Sequence, residues 1–191
     1  SCMSVEYKRS SHACFESVKN ISNQISTVIG GVYPSISPDA AFSDKNIDFL
    51  VVGEGEERLP NLIKAIKAGG GFHKLDGLLY RENGGVVNNP QNSIGIEDLD
   101  LMPYPDYSDY DMKKLMNWGA KYTQNFQFKQ FPVGIMMTSR GCPYRCTYCA
   151  AGKDLNPIND RKNVRTRSPE NILGEIDYLR ESYGIRELIM V

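Results

Sequence analysis

The chain lacks several features that would narrow its function early. No apolar run in its 191 residues approaches the length needed to cross a bilayer. Charge of one sign is missing as well. Lys plus Arg number 22 against 23 Asp plus Glu, for a net charge of −1, so there is no basic excess to meet a nucleic-acid backbone. Histidine is nearly absent. His12 and His73 are the only two, and neither stands in a local Cys-His spacing of the kind zinc modules use. Cysteine is scarce and odd in number, at five, so the thiols cannot all pair as disulfides. What is present, 41% apolar residues over 191 positions, suffices for one globular domain or parts of two.

Three of the five cysteines fall within eight residues: Cys142-Pro143-Tyr144-Arg145-Cys146-Thr147-Tyr148-Cys149. Thiols this close cannot staple distant parts of a fold, but they converge readily on one soft metal centre. Three thiolates can bind three irons of a 4Fe-4S cluster and leave the fourth open, or fill three positions of a zinc site. The lack of a nearby histidine makes zinc the weaker reading. Three incidental buried thiols are the remaining alternative, at odds with a polar stretch framed by Gly141 and Pro143. Residues 133–139, Val-Gly-Ile-Met-Met-Thr-Ser, read as a buried strand ahead of the cluster. The cysteines are thus predicted on a loop at the carboxyl end of a strand, where α/β folds bind ligands.

The stretch Thr138-Ser139-Arg140-Gly141-Cys142-Pro143-Tyr144-Arg145-Cys146-Thr147-Tyr148-Cys149 resembles the cluster loop of the radical SAM superfamily. The resemblance implies a 4Fe-4S cluster on Cys142, Cys146 and Cys149 whose open iron chelates S-adenosylmethionine. Electron transfer from the cluster then gives methionine and a 5′-deoxyadenosyl radical. It also implies that Tyr148 lies near the SAM adenine, that an electron donor such as flavodoxin or ferredoxin is needed, and that the setting is a reducing cytoplasm. Arg140 and Arg145 either favour the reduced cluster electrostatically or are simply solvated.

The rest of the chain reads as alternating helix and strand. Helices are predicted at 12–24, 38–43, 56–68 and 168–183, and strands at 26–29, 48–52, 133–139 and 185–191. Acidic residues are expected to open the 56–68 helix and Gly69-Gly70-Gly71 to stop it. Ser168-Pro169-Glu170 caps the helix at 168–183. Residues 75–88 carry a hairpin signal around Glu82-Asn83-Gly84-Gly85. The alternation argues for a doubly wound parallel sheet over 1–88, a connector over 89–132, and a first βαβ unit of a partial α/β barrel over 133–191. The connector aromatics Tyr104, Tyr107, Tyr110, Trp118, Tyr122, Phe126 and Phe128 either pack as a linker, the favoured reading, or line a channel. Because the chain opens and closes on partial strand patterns, it is expected to be a fragment of a longer protein.

Ser1-Cys2-Met3, followed after 26 residues by Gly30-Gly31, resembles the Ser-x-Leu … Gly-Gly pattern of Rossmann-like cobalamin-binding domains, with Met in place of Leu. Gly53-Glu54-Gly55-Glu56-Glu57 and the Asp-Leu-Asp … Pro-x-Pro-Asp connector resemble cobalamin-dependent radical SAM proteins. The resemblance puts Ser1 near the dimethylbenzimidazole, Gly30 and Gly31 along the nucleotide tail, and Gly53, Glu54, Gly55 and Glu56 nearby. Taken alone, Gly30-Gly31 is also compatible with an ordinary turn. The implied function is a cobalamin-dependent radical SAM methyltransferase acting on an unactivated carbon of a small-molecule or natural-product substrate. The alternatives are a radical cyclase or oxidase of tetrapyrrole type, a non-catalytic metal module, and a methylthiotransferase acting on RNA, which the lack of a basic patch disfavours.

Overall fold

The computed structural model describes residues 7–93, 95–111, 114, 132–144, 146–149 and 164–191. The chain divides into two compact units, residues 1–97 with 142–163, and residues 98–141 with 164–191.

In the first unit, α1 (Lys8–Ile21), β1 (Val28–Gly30), α2 (Val32–Ile36), α3 (Pro38–Phe42), β2 (Phe49–Val51) and α4 (Arg58–Ala68) precede a hairpin of β3 (Leu78–Glu82) and β4 (Gly85–Asn88). The sheet order is β1-β2-β3-β4. β1 and β2 are parallel, with Val28 beside Phe49 and Gly30 beside Val51. Successive side chains of a strand point to opposite faces, and both faces are buried here. Leu50 and Leu79 join one core with Ile29, Tyr33, Ala41, Phe42 and Ile47. Val51, Leu78 and Tyr80 join a second core with Leu62. Burial on both faces explains why β2 is continuously apolar, Phe-Leu-Val, rather than alternating.

The sheet is α/β as the sequence predicts, but mixed rather than wholly parallel. β3 pairs antiparallel with β2, and β4 antiparallel with β3. The hairpin turn matches its signal, because Asn83 and Gly84 have φ of 51° and 79°, the left-handed pair of a type I′ turn. The first helix starts four residues earlier than the sequence pattern suggests, at Lys8. The acidic residues expected to open α4 lie in the turn before it, and its own first turn carries none. The five-residue helix α2 escapes the sequence pattern because Pro34 sits inside it.

In the second unit, β5 (Val133–Met136) and β8 (Glu187–Met190) pair in parallel, and α5 (Pro169–Tyr183) lies between them in sequence. α5 begins as its sequence signals. The Ser168 hydroxyl accepts from the Asn171 amide at 3.1 Å, Pro169 occupies the first turn, and Glu170 sits at the positive end of the helix dipole. Leu179 and Ile185 form the core with Tyr107, Tyr178, Tyr183 and Leu188 around them. The strand predicted over 133–139 stops at Met136. The chain then forms β6 (Ser139–Arg140), which pairs antiparallel with β7 (Arg165–Thr166). That short ribbon sets Arg140 beside Arg165.

The stem of that ribbon is held by Arg167. Its guanidinium donates to the Met137 carbonyl at 2.9 Å and to Asn171 Oδ1 at 2.7 Å, and it pairs with the buried Glu175. The connector 98–107 lies along α5. Asp100 accepts from the Ser168 amide at 2.9 Å, Tyr104 donates to the Asn171 carbonyl at 3.1 Å, and the Tyr107 amide donates to Tyr183 Oη at 2.9 Å. A Cβ on Gly174 would collide with the Tyr104 hydroxyl. Tyr104 and Tyr107 therefore pack against α5, and Tyr110 is exposed. Trp118, Tyr122, Phe126 and Phe128 lie outside the described residues.

Two consequences can be measured. Leu62 is fully buried, so Leu62→Ala should cost about 3 kcal/mol, read as a lower urea midpoint for the first unit. Hydrogen bonds from Ser168 hold the Asp100 carboxyl below its ordinary value of 3.8, with burial opposing. A depressed carboxyl stabilises above its ordinary pKa, and the contribution is lost as pH falls through the lowered one. Asp100→Asn should therefore destabilise at neutral pH and flatten the acid limb of a stability profile below about pH 4.

Candidate functional site

Two segments carry the chemistry that the sequence suggests. The first is the cysteine loop. Gly141, with φ of 97°, takes the chain out of β6 in a conformation that glycine adopts without strain. Cys142, Cys146 and Cys149 are free and half-buried. The Cys149 amide donates to the Cys146 carbonyl at 3.1 Å, closing the C-x2-C end of the motif as a turn. Tyr148 is 87% exposed. Among the described residues no three Cys, His or carboxylate groups are placed to share a metal, so the three thiols share a loop without converging. As a donor set they fit an iron-sulfur cluster, being three unpaired thiols with partial solvent access and no disulfide among them. Arg140 is half-buried in β6, and Arg145 lies outside the described residues.

The second segment is the carboxyl edge of the β1–β2 pair. A parallel pair brings both carboxyl ends to the same edge, and here the last rung sets Gly30 beside Val51. Gly31 follows with φ 106° and ψ −168°, a region essentially closed to other residues. Gly53, after β2, has φ 76°. The Ser35 hydroxyl ties these turns together, donating to the Gly31 carbonyl at 2.7 Å and accepting from the Gly53 amide at 2.8 Å. A Cβ on Gly30 would meet Val51 at 3.5 Å, an ordinary contact, and one on Gly55 would meet nothing within 4 Å. A Cβ on Gly53 would collide with the Gln91 side chain, so internal packing alone already requires glycine there. Gly30 and Gly31 are thus brought beside Gly53. Glu54 instead packs against Gly95. With Glu56, Arg58 and Asp76 it lines a polar cleft of about 180 Å³. Ser1 lies outside the described residues.

Sequence reasoning missed two residues that shape this edge. Ser35 is one. The other is Arg58, which is 8% exposed. Its guanidinium donates to the Glu54 carbonyl at 2.9 Å, to Asp76 at 2.5 Å, and to the Ser93 carbonyl and hydroxyl at 2.6 and 3.0 Å. That fan holds the 53–57 turn against the segment after β4. Burial raises the Asp76 carboxyl, but hydrogen bonds from Arg58, Asn92 and Ser93 outweigh it and hold the carboxyl low. Neither residue carries a local sequence signal, because each also needs a partner 18 or more positions away, Gly53 for Ser35 and Asp76 and Ser93 for Arg58.

Residues 136–191 match the model of the Radical SAM superfamily. The chain is 32% identical over 171 residues to an uncharacterised methyltransferase of Pyrococcus horikoshii, covering 89% of the chain and 34% of that protein. It is 29% identical over 160 residues to the anaerobic magnesium-protoporphyrin IX monomethyl ester cyclase of a Synechocystis strain, covering 83% of the chain and 28% of that protein. The fold is shared with the radical S-adenosylmethionine methyltransferase TsrM of Kitasatospora setae, solved with cobalamin and a [4Fe-4S] cluster bound. That match has a TM-score of 0.66 at 19% identity and covers 97% of this chain and 34% of that one. The chain spans about a third of the length of these relatives. No helix among the described residues is long and apolar enough to cross a membrane. Residues 136–191, which include the cysteine loop, carry the chain's match to the radical SAM superfamily.

Proposed function

We propose that the whole protein is a cobalamin-dependent radical SAM methyltransferase that acts on an unactivated carbon of a small-molecule or natural-product substrate. The observation that carries this reading is the pairing, in one chain, of a free three-cysteine loop after β6 with a glycine-lined carboxyl edge on β1 and β2. In this reading residues 1–88 belong to a cobalamin-binding domain, 89–132 to a linker and 133–191 to a radical SAM domain. Cys142, Cys146 and Cys149 hold the 4Fe-4S cluster, and Tyr148 packs near the SAM adenine. Ser1, Gly30, Gly31 and the turn Gly53-Glu54-Gly55-Glu56 serve the cobalamin. When bound, the cluster supplies the electron that cleaves S-adenosylmethionine, and cobalamin supplies the methyl group.

The chain's own residues bind and position. The β6–β7 ribbon and Arg167 fix where the cysteine loop starts and ends. The absence of a side chain on Gly30 lets a nucleotide tail approach the strand end. An electron donor of flavodoxin or ferredoxin type and a reducing cytoplasm complete the reading. A second reading, radical cyclisation or oxidation without methyl transfer, is favoured by the similarity to the anaerobic cyclase. Product mass separates the two, since only methyl transfer adds a methyl group to the substrate.

Anaerobic reconstitution of the whole protein should yield about four irons and four sulfides per chain. Replacing Cys142, Cys146 or Cys149 with Ala should abolish iron loading and S-adenosylmethionine cleavage. Stoichiometric zinc with no iron uptake would refute the cluster. The cobalamin site is tested at Gly30, where a first side-chain atom meets only ordinary contacts. Gly30→Leu should sharply weaken cobalamin binding, followed by its absorption bands, and leave the iron content unchanged.

A further inference from the structure

We propose that Ser35 is a positioning residue for the corrinoid, setting the distance between the two glycine turns that receive its nucleotide tail. The inference rests on the cobalamin reading above and assigns a role to a residue outside the motifs that suggested it.

The argument starts where the sheet stops. The β1–β2 ladder ends at Gly30 beside Val51. Beyond it the two chains diverge, one into Gly31 and α2, the other into Val52 and Gly53. The Val52 amide turns away to the Gly77 carbonyl at 2.8 Å, so it ties β2 to the hairpin side of the sheet. The Gly53 amide points the other way, to Ser35 Oγ at 2.8 Å. The Ser35 hydroxyl spends its proton on the Gly31 carbonyl at 2.7 Å, while its own amide donates to the same carbonyl at 3.2 Å. One hydroxyl therefore acts as donor to the first turn and acceptor from the second.

The groups it joins are poorly suited to holding themselves in place. Gly31 and Gly53 have φ of 106° and 76°, and glycine has the widest conformational freedom of any residue. A ligand lying across both turns binds more weakly if it must first order them. The hydroxyl removes that cost by holding the separation before the ligand arrives. Serine suits the task because its side chain is short and half-buried in α2, where it can reach back one turn to the Gly31 carbonyl and still accept from Gly53. Alanine keeps the helix and loses both bonds. Threonine keeps both bonds.

The test is a titration of the anaerobically purified whole protein with hydroxocobalamin, followed by absorption, for wild type, Ser35→Ala, Ser35→Thr and Ser35→Cys. Iron content and circular dichroism are recorded on the same samples. Ser35→Ala should raise the corrinoid Kd about tenfold, the effect of losing one or two ordering hydrogen bonds, with iron content and dichroism unchanged. Ser35→Thr should restore most of the affinity. Ser35→Cys, with a longer bond and a weaker donor, should fall between. Wild-type affinity in Ser35→Ala overturns the proposal, as does equal weakening by Ser35→Ala and Ser35→Thr. If Ser35→Ala loses its fold, wild-type affinity in Ser35→Cys overturns it in turn. Failure of the wild type to bind hydroxocobalamin refutes the cobalamin reading itself, a result distinct from wild-type binding that Ser35→Ala leaves untouched.

Discussion

Parallel strand pairing is the constraint on which both units depend. Two parallel strands cannot be joined by a tight turn, so each pair needs a crossover that packs back on the sheet. α2 and α3 supply it between β1 and β2, and α5 supplies it between β5 and β8. Parallel pairing also leaves both carboxyl ends at one edge, with their following loops side by side. The two segments to which the proposed function assigns cofactors follow such ends. Gly30-Gly31 and the 53–56 turn follow β1 and β2, and the cysteine loop follows β5 by way of β6. The apolar strands and capped helices build these edges, and the glycines and cysteines occupy them.

Each unit then uses one buried arginine to hold a loop near such an edge. Arg58 fans out to Glu54, Asp76 and Ser93, and so fixes the turn after β2 against the segment after β4. Arg167 reaches the Met137 carbonyl, Asn171 and Glu175, and so fixes the exit from β5 to the start of α5. A buried guanidinium is costly unless nearly every donor is met. These two are closely, though not completely, satisfied. Arg58 Nε has no hydrogen-bond partner. The planar fork of arginine lets one side chain serve several carbonyls and a carboxylate together, which suits it to gathering loops from distant parts of the chain. Removing the partner of such a pair costs more than the pair contributes, because it strands the remaining charge.

Much of this was legible in the sequence because the signals are local. Asn83-Gly84 specified its own turn, Ser168-Pro169-Glu170 its own helix start, and the apolar runs at 48–52 and 133–136 their own strands. The cysteine spacing carried the family resemblance, and residues 136–191 match the corresponding model. Where the sequence reading missed, the cause was a partner it could not see. The strand predicted over 133–139 is cut at Met136 because residues 139–140 pair with 165–166, across the cysteine loop. The sheet is mixed because β3 docks on β2, a choice that no residue within the hairpin encodes.

Sequence alone determined which chemistry the chain can offer: three thiols on one short loop, glycines at strand ends, and two sets of strands and helices to carry them. Those properties depend on residue type and near-neighbour spacing, and they hold before folding. Tertiary structure decided which of these groups meet. It brought Gly30-Gly31 beside Gly53 through the parallel register of β1 and β2 and the hydroxyl of Ser35. It set Tyr104 and Tyr107 against α5, Tyr104 in a space that Gly174 leaves open. Contacts of this kind join residues up to 77 positions apart. They are fixed only when burial of both sheet faces and of the α5 core selects one register from the many that local preference allows.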